Sequence, residues 1–517
     1  MNRTSAESIT REAARGTSLV LAGALIAQAA EYAYRFLMAR GLGVAGFGTF
    51  NQARSIYLIL VVLAPLGLAA GVKRFVAAFR ESGRESEARR VIVQGIQVAA
   101  VSSGVLAALL WILAPELARA FRNPDLQSPL RVLAFAIPAA VGLEVVTRLG
   151  EAFRSFRPTV VARQILDPAL RVVFTIPLVA AGASLSILLG AMGVSAALAL
   201  LVAAVLVLNL ERLRSLAAGP APSQLPMLLQ FSLPLAAGTA LFDLAERIDV
   251  LMIGFFREEA DVGIYSAGSS IARFLLIFMA STMPVLATLA AEAAGRGTAH
   301  EIARLQRTTT RWMLFSTGPI AAGLLLFPVE AITLLFGREY TAAASCLRIL
   351  VLACLLPTLC GPTGLFLDAL GRTRWTLAIV ALRVLANIIL NWILIPRFGI
   401  VGAACGTLGS VLLAVVWQWN RLIREVPLQG NYRGWGRPLL VLAGSSAVSF
   451  LAHRAIRAVL PGEHAEVISA LLAGLVLVGS YFFAVQRIPG CLEPGDWEVI
   501  RVAWNRARFR AGSSGRR

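Results

Sequence analysis

The feature that most constrains this chain is a succession of apolar runs, each long enough to cross a lipid bilayer. A membrane-spanning helix needs roughly 20 mostly apolar residues. Such runs fall at 16–39, 47–71, 91–114, 129–150, 160–181, 185–209, 228–254, 262–290, 311–328, 343–370, 375–395, 399–420, 436–459 and 467–486. Fourteen runs with short links leave little of the 517 residues for anything else. Charged residues are 15% of the chain and hydrophobic ones 57%, where soluble proteins carry about 25% charged residues. The predicted fold is all-α and polytopic, with about fourteen transmembrane helices. Residues 1–17 are polar, and the first run has full span length without a small-residue cleavage site, which argues against a cleavable signal.

The net charge is +19, carried by 47 Arg and a single lysine, Lys73. On a soluble protein such a balance points to nucleic acid. Here the cations fall in alternate links, which argues for membrane topology and no nucleic-acid partner. Lys73, Arg74, Arg80, Arg84, Arg89 and Arg90 follow the second run, Arg296, Arg304 and Arg307 the eighth, and Arg421, Arg424, Arg433 and Arg437 the twelfth. One side collects 30 of the 48 basic residues and the other about nine. By the positive-inside rule the basic side is cytoplasmic. Both termini are then expected in the cytoplasm, which requires an even number of spans. No outer link exceeds roughly 15 residues, too few for an outer catalytic domain.

The five cysteines (Cys346, Cys354, Cys360, Cys405 and Cys491) lie mostly in apolar runs with no CxxC spacing, so no metal or disulfide framework is expected. His300, His453 and His464 are far apart and read as solvated surface residues. Beyond Pro494-Gly495-Asp496, the residues Trp497, Ile500 and Trp504 share one helical face, with Arg501, Asn505 and Arg508 elsewhere. That pattern fits an interfacial helix held by anionic lipid, or a basic tail.

The chain repeats internally. Phe36-Leu37-Met38, Gly48-Thr49-Phe50 and Ser55-Ile56 reappear as Val250-Leu251-Met252, Gly263-Ile264-Tyr265 and Ser270-Ile271, at an offset of 214 to 215. Glu151-Ala152 matches Asp368-Ala369 at 217, and Ile176-Pro177 matches Ile395-Pro396 at 219. Each copy holds six runs, so the copies are parallel and related by a pseudo-two-fold axis along the membrane normal. The expected domains are 1–217, 218–430 and a terminal pair with a basic tail at 431–517. Transporters with such halves bind substrate between them and rock one against the other.

An ionisable residue at the bilayer centre costs about 2.5–3.5 kcal/mol or more, so it faces protein or a wet cavity. Arg35, Arg54, Arg148, Arg163, Arg171, Arg247, Arg273, Arg348 and Arg383 fall within runs. The spacing of four puts Arg163, Asp167 and Arg171 on one face of the fifth span, where Asp167 can pair with either arginine. An offset of 220 gives Arg383, Asn387 and Asn391 on the eleventh. Two such stripes suggest a shared cavity wall. The seventh span carries Asp243, Glu246, Arg247 and Asp249. Asp243 and Arg247 can pair at i,i+4, leaving Glu246 and Asp249 less compensated and candidates for proton or cation coupling. Asp249 corresponds to Arg35 at offset 214, which suggests a gate where the two approach in one state. Arginine binds phosphate bidentately, so an arginine-lined cavity favours a phosphate-bearing substrate.

No nucleotide or catalytic motif accompanies these features. Gly41-Leu42-Gly43-Val44-Ala45-Gly46 matches GxGxxG but follows a transmembrane run rather than a strand, and reads as a flexible loop. GxxxxGK[ST], HExxH and GxSxG do not occur. No enzyme activity and no cofactor are expected, apart from a coupling ion, H+ or Na+.

Several segments carry a family likeness: Arg40-Gly41-Leu42-Gly43 through Gly48-Thr49-Phe50, Leu66-Gly67-Leu68 with Lys73-Arg74-Phe75-Val76, Asp249 to Gly254, Val262 to Ala267, Asn387 to Asn391, and Ile395 to Ala404. In this order the chain resembles, over roughly residues 10–425, the polysaccharide (oligosaccharide) flippase branch of the multidrug/oligosaccharidyl-lipid/polysaccharide exporter superfamily. The resemblance implies a two-lobed bacterial inner-membrane flippase. Its substrate would be a polyprenyl-pyrophosphate-linked oligosaccharide, with membrane lipids and polysaccharide assembly proteins as partners. Lipid II flippase relatives use arginines on their first, second and eighth helices, where Arg35, Arg54 and Arg273 lie here. The alternatives are a cation-coupled small-molecule exporter, a polytopic polymerase or glycosyltransferase, and a scaffold subunit.

Overall fold

The computed structural model describes residues 3–210, 222–297, 299–426, 436–459 and 465–488. Cys491, His464, Arg433 and the Trp497–Trp504 segment lie outside the described residues. Helix accounts for nearly all of what is described, and no strand occurs among those residues. The helices are α1 (Arg3–Leu63), α2 (Leu68–Glu81), α3 (Glu85–Ala120), α4 (Gln127–Ala152), α5 (Asp167–Ala180), α6 (Leu185–Leu208), α7 (Leu225–Phe256) and α8 (Glu259–Arg273). They continue with α9 (Leu276–Gly295), α10 (Ala299–Leu326), α11 (Pro328–Leu335), α12 (Ala344–Cys360), α13 (Thr363–Ala369), α14 (Thr373–Glu425), α15 (Gly436–Val459) and α16 (Ala465–Arg487). A π-helical stretch, Thr159–Leu166, leads into α5.

Nine helices among the described residues are long and apolar enough to cross a membrane, or up to eleven if each sharply bent pair is one span. Several present apolar side chains outward: on α3, Val101 is 67% and Ile112 62% exposed. Only a hydrocarbon solvent tolerates such a surface on helix after helix. The protein is a multi-pass membrane protein.

The count from apolar runs and the count from continuous helices diverge for identifiable reasons. Helix α1 contains Gly43 at φ 66°, and α14 contains Gly399 at φ 58°. Glu31 pairs with Arg54 across the first break, and Asn387 bonds Ser410 (3.5 Å) across the second. Each pair is separated by 23 residues, about 35 Å along a straight helix. Both glycines are therefore chain reversals, and α1 and α14 are each two antiparallel helices. Only glycine takes positive φ at little cost. Gly41 and Gly46 remain helical, so the GxGxxG match is a one-residue reversal, not the flexible loop expected.

The segment after the second run also differs from expectation. It forms helix α2, which is strongly two-faced. Leu68, Val72, Val76 and Phe79 are buried against Val91 and Ile92 of α3, Leu149 of α4 and Leu228 of α7. Lys73, Arg74 and Arg80 occupy the other face. The charges expected in a loop are presented by a rigid helix.

The chain divides into two compact units. The first comprises Met1–Ile271, Leu335–Leu350 and Thr373–Ala414; the second comprises Ala272–Leu334, Val351–Arg372 and Val415–Arg517. Within the first unit, the repeat-related glycines Gly48 and Gly263 meet: a Cβ on Gly48 would lie 1.7 Å from the Glu259 carbonyl oxygen, and one on Gly263 2.1 Å from that of Val44. The helices touch backbone to backbone there, which no larger residue permits. The repeat also shows in chain ends. Arg257, where α7 breaks, stands 214 residues after Gly43, and Ala369, which ends α13, stands 217 after Ala152, which ends α4.

Candidate functional site: a cationic cavity and two polar clusters

A cavity of about 1060 Å³ opens within the first unit. Its walls are Leu58, Val61 and Val62 of α1, the charged face of α2, the end of α4, Arg163, and Leu235 and Thr239 of α7. Six cations line it (Lys73, Arg74, Arg80, Arg148, Arg154, Arg163) against three carboxylates (Glu81, Glu144, Glu151). The surplus of three positive charges sits beside apolar walls, where low dielectric strengthens its attraction for anions.

The cations are held in defined positions. Lys73 Nζ donates to Glu151 Oε2 (2.7 Å), which also accepts from Arg148 (3.2 Å); Glu151 Oε1 accepts from Thr159 (3.0 Å). Glu144 accepts from Arg148 (3.0 Å) and pairs with Arg163. Arg154 pairs with Glu81 at 3.0 Å. Arg80 lies 4.5 Å over Phe153. Arg74 lies 4.5 Å over Phe231 and forms no ion pair among the described residues. Stacking fixes its plane while leaving its N–H groups available.

Arg163 does not share a face with Asp167, contrary to the expected stripe. The π-helical turns between Thr159 and Leu166 are wider than α-helical ones, so a step of four residues falls short of a full turn. Pro168 contributes, because it lacks the amide that would bond the Gln164 carbonyl. Arg163 turns to Glu144, and Asp167 pairs with Arg171 alone of the two arginines.

Above the cavity a second group of charges is buried. Arg54 lies four residues from the cavity-lining Leu58, about 6 Å along the helix. Arg35 (3.0 Å), Arg54 and Arg171 (3.8 Å) converge on Glu31. Arg171 also holds Asp167 through Nε (3.1 Å), and Asp167 accepts from Ser195 (3.0 Å). Arg35 donates in addition to Ser270 (3.1 Å). Three guanidinium groups thus face two carboxylates, with Arg54 7% exposed. Sequence reasoning missed Glu31, although its spacing of four from Arg35 was an available signal.

A third group follows α7 upward from Thr239. Asp243 and Arg247 pair at 2.8 and 3.0 Å. Glu246 pairs with Arg383 at 3.2 Å, so it is more compensated than expected. Asp249, 3% exposed, accepts from Tyr265 (2.8 Å), Asn391 (2.9 Å) and Thr407 (2.7 Å). Asn391 also donates to Asn387 (3.0 Å). The regular α-helix of α14 keeps Arg383, Asn387 and Asn391 on one face. Asp249 has no cationic partner among the described residues, and Arg35 and Asp249 do not pair in this structure. Arg273 belongs to the second compact unit. No group of three or more metal-ligating side chains occurs among the described residues.

Residues 13–289 match the family model described as polysaccharide biosynthesis protein, more than half of the chain, and residues 234–393 match the MatE model. The chain is 30% identical over 250 residues to the probable flippase AglR of Haloferax volcanii, covering 45% of this chain and 48% of that one. It is 27% identical over 190 residues to the probable low-salt glycan biosynthesis flippase Agl15 of the same organism, covering 36% and 40%. These matches span less than half of each relative's length. Among solved structures, the lipid II flippase MurJ in an inward closed conformation superposes with a TM-score of 0.67 at 12% identity, over 91% of this chain and 99% of that one. An inward-facing multidrug resistance MATE family transporter gives 0.63 at 14%, over 79% and 98%. The chain belongs to the family described as polysaccharide biosynthesis protein.

Proposed function

We propose that this protein is a flippase that carries a polyprenyl-pyrophosphate-linked oligosaccharide across the bacterial inner membrane by alternating access. The observation that carries this reading is the cavity of about 1060 Å³ with three surplus cations and an uncommitted Arg74 guanidinium. A diphosphate linked to sugar needs a fixed cationic seat and room for hydroxylated rings, while its prenyl tail stays in lipid. Crossing hydrocarbon without such a path is prohibitive. The positive-inside rule puts the cavity mouth, with Lys73, Arg74 and Arg80, on the cytoplasmic side, where such precursors are made. The Glu31 cluster then offers a second cationic seat one to two helical turns deeper.

The same reading assigns energy coupling to Asp249. A buried carboxylate held only by neutral donors is a seat that a proton or Na+ can occupy. The names of the two Haloferax relatives support flipping of a glycan precursor. Polysaccharide assembly proteins are the partners this role implies. A second reading, a cation-coupled exporter of small molecules, is favoured by the MatE match and by the acidic residues of α7.

A deletion strain assayed for the leaflet distribution of lipid-linked oligosaccharide decides between them. Flipping predicts accumulation on the cytoplasmic leaflet, restored by the wild-type chain but not by R74A. Unchanged distribution with altered drug tolerance would replace it with the exporter.

A further inference from the structure

The second compact unit has a pocket of its own, of about 490 Å³. Its walls include Phe327 and Glu330, where α10 gives way to α11, and Phe450, His453, Arg454 and Arg457 on the last turns of α15. Helix α11 leaves α10 at 95°. Such a bend suits a short helix that lies along the membrane surface, at the depth of lipid headgroups. The surroundings agree: Phe450 is 45%, Leu451 65% and Val459 77% exposed. The pocket is polar inside and bordered by side chains suited to acyl chains.

The polar groups are poorly used by the protein itself. His453 is 6% exposed, and its Nδ1 has no hydrogen-bond partner among the described residues. Its ring centroid lies 4.8 Å from that of Phe327, the planes tilted by 50°, and Nε2 lies 4.0 Å from Glu330, too far for a hydrogen bond. Arg454 forms no ion pair among the described residues, while Arg457 pairs with Glu466. A carboxylate and two guanidinium groups therefore share one small cleft with an unsatisfied imidazole. An anion alone would leave Glu330 facing negative charge. A ligand carrying both a phosphate and a primary ammonium satisfies every group: phosphate on Arg454 and Arg457, ammonium on Glu330, and a hydrogen bond to His453.

We propose that this pocket binds the headgroup of an ethanolamine phospholipid, its acyl chains lying along Phe450 and Leu451. Helix α15, which lies outside the repeat, then supplies half of a lipid-headgroup site. The proposal does not depend on the transported substrate.

The test is native mass spectrometry of the full chain, delipidated in detergent and offered phosphatidylethanolamine, phosphatidylcholine or phosphatidylglycerol at equal concentration. One phosphatidylethanolamine is expected to be retained about tenfold more tightly than phosphatidylcholine, whose methylated nitrogen cannot donate to Glu330. E330Q should erase that preference, and R454A should weaken retention of phosphatidylethanolamine about tenfold. Arg454 is exposed, so R454A carries the test even where E330Q impairs folding. Equal retention of the ethanolamine and choline lipids would overturn the proposal. So would a preference for phosphatidylglycerol, or wild-type retention by R454A.

Discussion

The two halves of the repeat place a carboxylate on corresponding first helices but surround it differently. In the first half Glu31 is met by Arg35, Arg54 and Arg171. In the second, Asp249 is met by Tyr265, Asn391 and Thr407. Arg171 and Asn391 are repeat equivalents at offset 220, as are Asp167 and Asn387. The corresponding positions form a cationic cluster on one side and a neutral cradle for a single carboxylate on the other. The first is suited to an anionic cargo, the second to a small cation. The difference teaches that quasi-equivalent positions can share geometry while dividing electrostatic roles.

The most disruptive way to break this contrast is E31Q. It strips three guanidinium groups of their common counter-ion, and orphaning buried charge typically costs about 3–5 kcal/mol. Thermal unfolding in detergent should show the loss, and E31Q/R35Q should recover part of it. A variant as stable as wild type would mean that the cluster is solvated. D249N is expected to behave in the opposite way. Asn is nearly isosteric and can keep bonds to Tyr265 and Thr407, so stability should change by less than about 1 kcal/mol, while the response of transport to an imposed ion gradient disappears. If D249N transport still follows the gradient, coupling lies elsewhere.

In the cavity, R74A is expected to lower flipping about tenfold, with R74K intermediate because it keeps charge but loses the bidentate fork. Stability should shift by only about 0.5–1 kcal/mol, the scale of an exposed cation–π contact. Initial rates in proteoliposomes against unfolding midpoints check both halves of that statement. The smallest expected effect concerns the π-helical turn. A double-mutant cycle should find about 0.5 kcal/mol of coupling between Arg163 and Glu144, a partly exposed pair, and none between Arg163 and Asp167. The reverse result would mean that the stripe on the fifth span is regular after all.

Much of the architecture was legible because a bilayer imposes a simple rule. Apolar length defines spans. The repeat was legible from Gly48 and Gly263 because a backbone crossing tolerates nothing larger. The Asp243–Arg247 pair was legible because i,i+4 contacts are local. The cavity was not. Lys73, Arg74 and Arg80 read as link charges, although Leu68, Val72, Val76 and Phe79 already marked one face of a helix. The fifth-span stripe escapes a reading by spacing because a π-helix changes the angular step without changing the separation in sequence.

The sequence by itself determined that the chain spans a membrane many times, that segments of its halves recur at offsets of 214 to 219, and that its basic residues are arginine but for Lys73. Which carboxylate meets which arginine was decided only by tertiary structure. Glu31 lies 140 residues from Arg171, and Asp249 lies 142 from Asn391. Local periodicity places a charged residue on a helix face. Its partner is chosen by the packing of that face against distant segments, because a charge left with neither a counter-ion nor hydrogen-bond donors in a low-dielectric interior is costly.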